Sequence, residues 1–121
     1  MLKADSLLGE LVRIKHSRCQ RCKAQGHVDT AHIITRGVKA LRYSEENLLA
    51  LCRTCHSHLD LHPREMQAFV NKINGAGSYE MLLIRSNILV KANDEFYRGT
   101  IKRLRGRITE KKKKHSFWML K

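Results

Sequence analysis

The feature that most constrains this chain is a pair of Cys-x-x-Cys motifs that together use all four of its cysteines. Cys19 and Cys22 form the first motif, and Cys52 and Cys55 form the second. Two such motifs can arrange four thiolates tetrahedrally around one zinc ion, and a closed four-sulfur site of this kind is structural. We therefore predict a structural Zn²⁺ that joins the two segments. Free buried cysteines and a redox pair are the alternatives.

The length and the hydropathy pattern indicate one domain that lies outside membranes. A chain of 121 residues has only a small core, which a metal cross-link would reinforce. No apolar run approaches the roughly 18 residues of a membrane span. The N-terminal leucines are interrupted by Lys3, Asp5 and Glu10, which is unlike a secretory signal. We expect a cytoplasmic protein, in which cysteines are more often metal ligands than disulfides.

The positive charge of the chain is concentrated near its C-terminus. The sequence has 24 lysines and arginines against 11 acidic residues, a formal net charge of +13, and ten of the basic residues lie between Arg98 and Lys121. Phe96, Tyr97 and Trp118 lie among or beside these charges. A polyanion is the natural partner, because each phosphate contact releases condensed counterions. We expect nucleic acid, while the lysine run at 111–114 alone is equally compatible with a solvated tail.

Hydrophobic periodicity and breaker residues predict a mostly helical chain with one short hairpin. Pro63 is expected to end one helix and to begin the next, and Asn93 is expected to cap the last helix. The predicted elements are a helix at 5–15, strands at 27–35 and 48–51, a helix from 52 to about 61, a helix from 63 to a breaker at 75–78, a helix at 79–90, and a last helix from 93 that leads into a basic tail.

Three short motifs lie between and directly after the two cysteine pairs. They are Ala-His-Ile-Ile-Thr-Arg with His32, Glu-Glu-Asn-Leu-Leu with Asn47, and Cys-Arg-Thr-Cys-His with His56. This order resembles the HNH nuclease family, in which two Cys-x-x-Cys pairs recur around the motif, and the resemblance spans roughly residues 19–63. It implies a ββα-metal fold and hydrolysis of phosphodiester bonds in DNA.

The resemblance also implies a role for each of the three residues. His32 would be the general base that deprotonates water, since imidazole titrates close to neutral pH. His56 would hold a catalytic divalent cation, Mg²⁺ or Mn²⁺. Asn47 would either bind that cation or fix the loop that positions the base, and the sequence leaves both roles open.

With this resemblance, the expected fold class is α+β and mostly helical, a zinc-stapled ββα-metal finger followed by a helical, basic C-terminal region. Residues 1–121 are predicted to form a single domain. Its parts are a leading helix at 1–17, the HNH core with both cysteine pairs at 18–63, a helical extension at 64–109 and a basic tail at 110–121.

One position departs from the family pattern. Ala31 stands directly before the predicted base, where the family usually has an Asp or His that binds the metal. Asp60, four residues after His56 on the same helix face, is our preferred additional ligand. Asp29 and His27 share a strand face with Ala31.

A competing register on the same helix would use His58 and His62, which are also four residues apart. The separation from Asn47 that is usual in the family favours His56, and the cluster permits either choice.

A narrower resemblance extends beyond the HNH motif. Arg36 lies four residues after the predicted base, and the pair Arg42-Tyr43 precedes Asn47. This pattern looks like the NinG/Rap group of phage recombination endonucleases, which act on branched DNA such as Holliday junctions. That group usually has Asn where this chain has His56. The resemblance implies branched DNA as substrate, host-cell cytoplasm as the location if the chain is phage-encoded, and phosphate contacts by the two arginines.

The sequence thus predicts a metal-dependent DNA endonuclease with one structural Zn²⁺ and one catalytic Mg²⁺ or Mn²⁺ per chain. Because one active site cuts one strand, symmetric cleavage of a junction would need a homodimer. A non-catalytic, zinc-containing nucleic-acid-binding module is the alternative, and Ala31 supports it. The predicted DNA-contacting residues are Arg36, Lys39, Arg42, Arg103, Arg105, Arg107, Lys111, Lys112, Lys113 and Lys114.

Overall fold

The computed structural model describes the backbone of residues 2–119 and the side chains of residues 2–114, so that the side chain of Trp118 lies outside the described part. The elements are α1 (Leu2–Lys15), β1 (Asp29–His32), α2 (Lys39–Arg42), β2 (Leu48–Leu51), α3 (Arg53–Leu61), α4 (Pro63–Asn74), α5 (Ser78–Arg85) and α6 (Asp94–Met119). A mostly helical chain with one small antiparallel sheet confirms the predicted fold class. No helix in the described range is long and apolar enough to cross a membrane.

The two strands form a short hairpin in which His32, the last residue of β1, lies opposite the first residue of β2. β1 is shorter than predicted, because the partner segment leaves the ladder in a 3-10 turn at Glu45–Asn47. Asn47, the last residue of this turn, extends the pairing past His32. Its carbonyl oxygen accepts from Ile33 N–H at 2.8 Å, and its side chain forms hydrogen bonds with the backbone of Ile34.

Local signals set most helix ends as predicted. Pro63 occupies the first turn of α4, and the Asn93 side chain accepts from Phe96 N–H at 2.9 Å at the start of α6. α5 is shorter than the predicted helix at 79–90. Its end coincides with Ser86, whose hydroxyl donates to the Leu83 carbonyl oxygen and so competes with the helical ladder.

The segment predicted as a basic tail is helical, because α6 continues without a break to Met119. Ion pairs accompany this extension. Lys112 Nζ lies 3.3 Å from Glu10 of α1, and Lys114 Nζ lies 3.6 Å from Glu110. The lysine run therefore lies on a helix that is in contact with α1, rather than on a free end.

The core runs from the hairpin through α1 to α6. α1 packs against both of its neighbours, and its Leu8 and Leu11 are buried together with Leu49 and Leu51 of β2 and Leu104 of α6. Burial of one such side chain contributes about 2 kcal/mol. This packing fixes the hairpin, and with it the end of β1 where His32 lies.

Glu45 joins three parts of the fold. Its carboxylate accepts from Arg107 of α6 at 2.7 and 3.1 Å and from Lys15 of α1 at 3.2 Å. The hydrogen bonds from Arg107, and secondarily from Lys15, bring the pKa of Glu45 down to about 2. Arg107, a predicted DNA contact, is therefore engaged within the fold.

Candidate active site

The four cysteines converge on one point. The four Sγ atoms lie within 4.8 Å of one another, and those of Cys22 and Cys52 are 3.7 Å apart. A tetrahedral site with Zn–S bonds of about 2.3 Å has sulfur–sulfur edges of about 3.8 Å. The observed spacing fits one Zn²⁺ held by all four thiolates.

The surroundings of the cysteines also suit a bound cation. Cys22 N–H donates to Cys19 Sγ at 3.5 Å, and Arg21 donates to Cys55 Sγ at 3.5 Å. Burial opposes ionisation of Cys19, but nearby backbone N–H groups outweigh it and lower the pKa to about 6. Burial raises the pKa of Cys55 to about 12. Four thiols this close together do not all ionise in the absence of a cation. A bound dication stabilises the four thiolates together.

His32 is held in one tautomer at the end of β1. Its Nε2 lies 2.9 Å from the carbonyl oxygen of Arg42. Because a carbonyl oxygen only accepts, Nε2 carries the proton and Nδ1 keeps its lone pair. Burial is the main cause that lowers the pKa of His32 below its ordinary value of 6.5, and the charge of Arg36 acts in the same direction. The ring is therefore neutral at neutral pH, as a general base must be.

Asn47 is fully buried and uses its whole carboxamide on the loop that follows β1. Its Oδ1 accepts from Ile34 N–H at 2.8 Å, and its Nδ2 donates to the carbonyl oxygens of Ile34 at 3.0 Å and Leu41 at 3.3 Å. The side chain thus bridges the end of β1 and α2. Of the two roles open from the sequence, these contacts support fixing the loop, because the oxygen is already engaged.

His56 lies between two carboxylates in an open cleft of about 440 Å³. Its Nδ1 is 3.0 Å from Asp29 Oδ2, and its Nε2 is 3.3 Å from Asp60 Oδ2. Arg53 Nε also donates to Asp29 at 3.0 Å. The hydrogen bond from His56, followed by that from Arg53, holds the pKa of Asp29 below its ordinary value.

These contacts fit a divalent cation at Nε2 of His56 and the carboxylate of Asp60. When Asp29 accepts the proton on Nδ1, the lone pair of the ring lies on Nε2, as in carboxylate–histidine–metal sites. The Asp60 side chain is 54% exposed, which leaves room for water and a phosphate. Imidazole and carboxylate donors suit Mn²⁺, and Mg²⁺ binds through the carboxylate.

The cleft and His32 lie on different sides of β1. Side chains alternate along a strand, so Asp29 and Ala31 face α3 whereas His32 projects to the other side. Within the described part of the chain, His32 does not line the cleft of His56. Ala31, fully buried between the two groups, offers no ligand atom.

The alternative pair of histidines, His58 and His62, lies on another side of α3 from His56. A step of two residues turns a helix by about 200°, and His58 and His62 approach Glu65 of α4 at 2.6 and 3.8 Å. His56 faces β1 instead. The two sets of histidines are therefore separate groups and not alternative ligands of one cation.

Arg42 is paired with Asp5 of α1. Its Nε and a terminal nitrogen donate to the two oxygens of Asp5 at 3.3 and 2.8 Å, and its side chain is 8% exposed. This hydrogen bond with Asp5 is the main reason that the pKa of Arg42 is raised. Arg36 lies 3.5 Å from the same carboxylate but remains 60% exposed. Arg42 thus fixes the loop whose carbonyl oxygen accepts a hydrogen bond from His32. Arg36 is exposed and can contact a phosphate.

The other predicted DNA-contacting residues also differ in availability. Arg103 donates to the backbone oxygen of Tyr43 at 2.8 Å, and Lys112 and Lys114 are in the ion pairs described above. The remaining predicted contacts form no ion pair with another described side chain, and they are Lys39, Arg105, Lys111 and Lys113.

Comparison with known families identifies the segment that carries the motif. Residues 19–60 match the sequence model of the HNH endonuclease family. We refer to this segment, residues 19–60, as the HNH domain because it matches that model. It covers about a third of the chain and includes the four cysteines together with His32, Asn47 and His56. The searches of curated proteins and of solved structures found no match.

Two acidic residues that contact the candidate site are not predicted from the sequence to do so. Asp29 shares the strand face of Ala31, and its contact with His56 is seen only in the structure. The strand period was the signal that could have found it. Asp5 lies outside the HNH domain, 37 residues from its partner Arg42, and no local pattern connects the two.

Proposed function

We propose that this protein is a metal-dependent HNH endonuclease that hydrolyses phosphodiester bonds in DNA, with His32, Asn47 and His56 as its functional residues. The observation that carries the proposal is the state of His32. Its Nε2 lies 2.9 Å from the Arg42 carbonyl oxygen, which leaves the lone pair on Nδ1, and burial lowers the pKa of the ring. The net charge of +13 supports a nucleic acid substrate.

In this proposal, Nδ1 of His32 accepts a proton from a water molecule while the water oxygen attacks phosphorus, and the bond from phosphorus to the leaving 3′-oxygen breaks. The Arg42 carbonyl oxygen accepts from Nε2 and stabilises the imidazolium that forms. The scissile phosphate would lie across the end of β1, between His32 and the cleft of His56. A positioned general base contributes about 100-fold to 10,000-fold in rate.

His56 and Asp60 would hold the catalytic Mg²⁺ or Mn²⁺, and Asp29 would orient the imidazole. When bound, the cation neutralises charge on the phosphate and on the leaving 3′-oxygen. Asn47 is a positioning residue in this scheme, because its carboxamide holds the loop that carries the partner of His32. The zinc of the four cysteines is structural.

The substrate surface would combine the loop after β1 with α6. Arg36 and Lys39 would contact phosphates beside His32, and Arg105, Lys111 and Lys113 would extend the contact along the helix. Since the pattern around Arg36 and Arg42-Tyr43 resembles the NinG/Rap group, we propose branched DNA, including Holliday junctions, as the substrate, cut symmetrically by a homodimer. A cytoplasmic setting is part of the same proposal.

The decisive experiment compares His32→Ala with wild type on linear, single-stranded, flap and four-way-junction DNA, in the presence of Mg²⁺ or Mn²⁺. We expect His32→Ala to lose cleavage by about 100-fold or more and to keep DNA binding. His16→Ala is the matched control, because His16 lies outside the HNH domain. Equal cleavage by wild type and His32→Ala would refute the proposed base, and equal cleavage of linear and branched DNA would refute the preference for branches.

The lysines near the end of α6 have a test of their own. Exchanging Lys111 and Lys113 for Gln keeps the helix and removes two unpaired charges. Each phosphate contact that is lost lowers the slope of log affinity against log salt by about 0.9. We expect weaker binding with a shallower slope, whereas the control Lys72→Gln on α4 leaves both unchanged. An unaltered slope in the double variant would mean that these lysines are only solvated.

A second candidate is a nucleic-acid-binding module without activity, and Ala31 is the observation that favours it. The position before the base offers no ligand atom, and His32 does not line the cleft of His56 within the described residues. If wild type binds every DNA substrate and cuts none with either cation, this candidate replaces the endonuclease.

A further inference from the structure

The corner between α3 and α4 carries a second group of metal-ligating side chains, formed by His58, His62 and Glu65. One ligand atom from each of the three lies within 4.8 Å of the others. We propose that this group is a separate surface site for a divalent transition-metal ion such as Zn²⁺, Ni²⁺ or Cu²⁺. It has its own ligands, and it does not depend on the proposed nuclease activity.

The three side chains are already arranged around a common point. His58 Nε2 lies 2.6 Å from Glu65 Oε2, and His62 Nδ1 lies 3.8 Å from the same oxygen. The two imidazole rings are stacked with their centroids 4.1 Å apart. A bound cation would replace the direct contact between His58 and Glu65 and would take its third ligand from the adjacent ring of His62.

The tautomer of His62 leaves a ligand atom available. Its Nδ1 lies 2.6 Å from the backbone carbonyl oxygen of His58, and because that oxygen only accepts, Nδ1 carries the proton. The lone pair of the neutral ring is therefore on Nε2. Metal-binding histidines are commonly oriented by a bond of this kind from the second ring nitrogen.

This group is distinct from the other two metal-suited groups. It lies about 200° around α3 from His56, which faces β1, and it shares no residue with the cysteine cluster. His58 and His62 are partly to half exposed, and Glu65 is 52% exposed. An ion can thus enter from solvent without opening the core.

The donor set determines the class of ion. Two imidazoles and one carboxylate favour zinc, nickel and copper, whereas Mg²⁺ prefers oxygen donors and keeps its water. Because His58 belongs to α3 and Glu65 to α4, a bound ion would cross-link the two helices at the Pro63 corner. The site would therefore stiffen the junction between the HNH domain and the helical extension.

The test uses the full-length, zinc-loaded chain without a histidine tag, with Ni²⁺ added and binding measured by calorimetry. We expect His62→Ala and Glu65→Gln each to weaken the binding of one Ni²⁺ by about tenfold or more, the size of effect that loss of a metal-site partner has. Circular dichroism and zinc content should stay the same in both variants. His16→Ala is the matched control, since it removes an imidazole outside this group and should leave this binding intact, while His56→Ala reports any Ni²⁺ that is held in the cleft.

Two results would overturn the proposal. Unchanged Ni²⁺ binding in His62→Ala and Glu65→Gln would mean that the rings and the carboxylate form only a stacked, ion-paired surface. Loss of all Ni²⁺ binding in His56→Ala would place the ion in the cleft instead. If His62→Ala does not fold, the Glu65→Gln variant together with His58→Gln decides the question.

Discussion

The cysteine cluster and the His56 cleft belong to one HNH domain but are built in opposite ways. The cluster takes four soft ligands from two segments, and Cys19 and Cys55 are buried. The cleft places one imidazole between carboxylates, and its Asp60 is 54% exposed. Closed four-ligand sites are structural, whereas a catalytic site keeps a position open for water or substrate. The cysteine cluster thus has the form of a structural site, and the His56 cleft has the form of a site that is open to solvent.

Removal of the zinc is the change with the largest expected effect. Cys52 joins β2 to α3, and its sulfur accepts from Cys55 N–H at the start of that helix. Structural zinc contributes about 10–16 kcal/mol in small zinc domains, which is as large as the whole stability of most domains. We expect Cys52→Ser, or a strong chelator, to unfold the hairpin and α3, as measured by circular dichroism.

The cleft supplies the control for this prediction. Asp60→Asn alters the open site but no zinc ligand, so its circular dichroism should match that of wild type. An unchanged circular dichroism spectrum after complete zinc removal would contradict the structural role of the cysteine cluster. The two sites would then no longer differ in their importance for the fold.

Asp5→Asn tests whether a residue outside the HNH domain supports the proposed base. The exchange leaves the buried Arg42 without its charged partner, and breaking a buried pair costs about 3–5 kcal/mol. Urea unfolding should show this loss. Arg36→Ala, which removes an exposed arginine near the same carboxylate, should change stability by less than about 0.5 kcal/mol.

The pH dependence of cleavage separates positioning from simple destabilisation. Burial is the main cause that lowers the pKa of His32 below 6.5, so the acid limb of wild-type cleavage should lie below that value. In Asp5→Asn two effects oppose each other: loss of the Asp5 charge, which raises the pKa of His32, moves the limb further down, whereas movement of α2 that exposes the ring moves it up towards 6.5. A lower rate with an unshifted limb would mean that Asp5 has no net effect on the pKa of His32.

The features that the sequence predicted well depend on short-range chemistry. The cysteine motifs, Pro63 at the start of α4 and the Asn93 cap each act within a few residues. The last helix is longer than predicted, because α6 continues through the segment predicted as a basic tail as far as Met119. The pairing of Lys112 with Glu10 on α1 is a long-range contact that no local pattern contains.

The candidate site was predicted by type rather than by arrangement. The order of His32, Asn47 and His56 located the HNH domain, but the role of Asn47 depends on its three bonds to Ile34 and Leu41. Likewise, the face of α3 that meets β1 depends on how the helix packs. The spacing of residues in the sequence predicts which of them share a helix face. What that face contacts depends on the packing of the whole fold.

Asp29→Asn is the smallest change, and it distinguishes an orienting residue from a ligand. The Asn oxygen still accepts from Nδ1 of His56, so the fold should lose only about 1 kcal/mol. Because the pKa of Asp29 is lowered in the folded state, its contribution is present above 3.8 and is lost as the pH falls through the folded pKa. The variant should therefore be less sensitive to acid than wild type in unfolding experiments.

Mn²⁺ affinity, measured by electron paramagnetic resonance, completes the test of Asp29. Loss of an orienting carboxylate weakens a metal site by about 10-fold to 100-fold, and Asp60→Asn, which removes a proposed direct ligand, should weaken it at least as much. If Asp29→Asn instead abolishes Mn²⁺ binding while Asp60→Asn has no effect, the cation is held on the Nδ1 side of His56. The open site would then lie on the β1 side of the ring, closer to His32, and Asp29 would replace the ligand that Ala31 cannot provide.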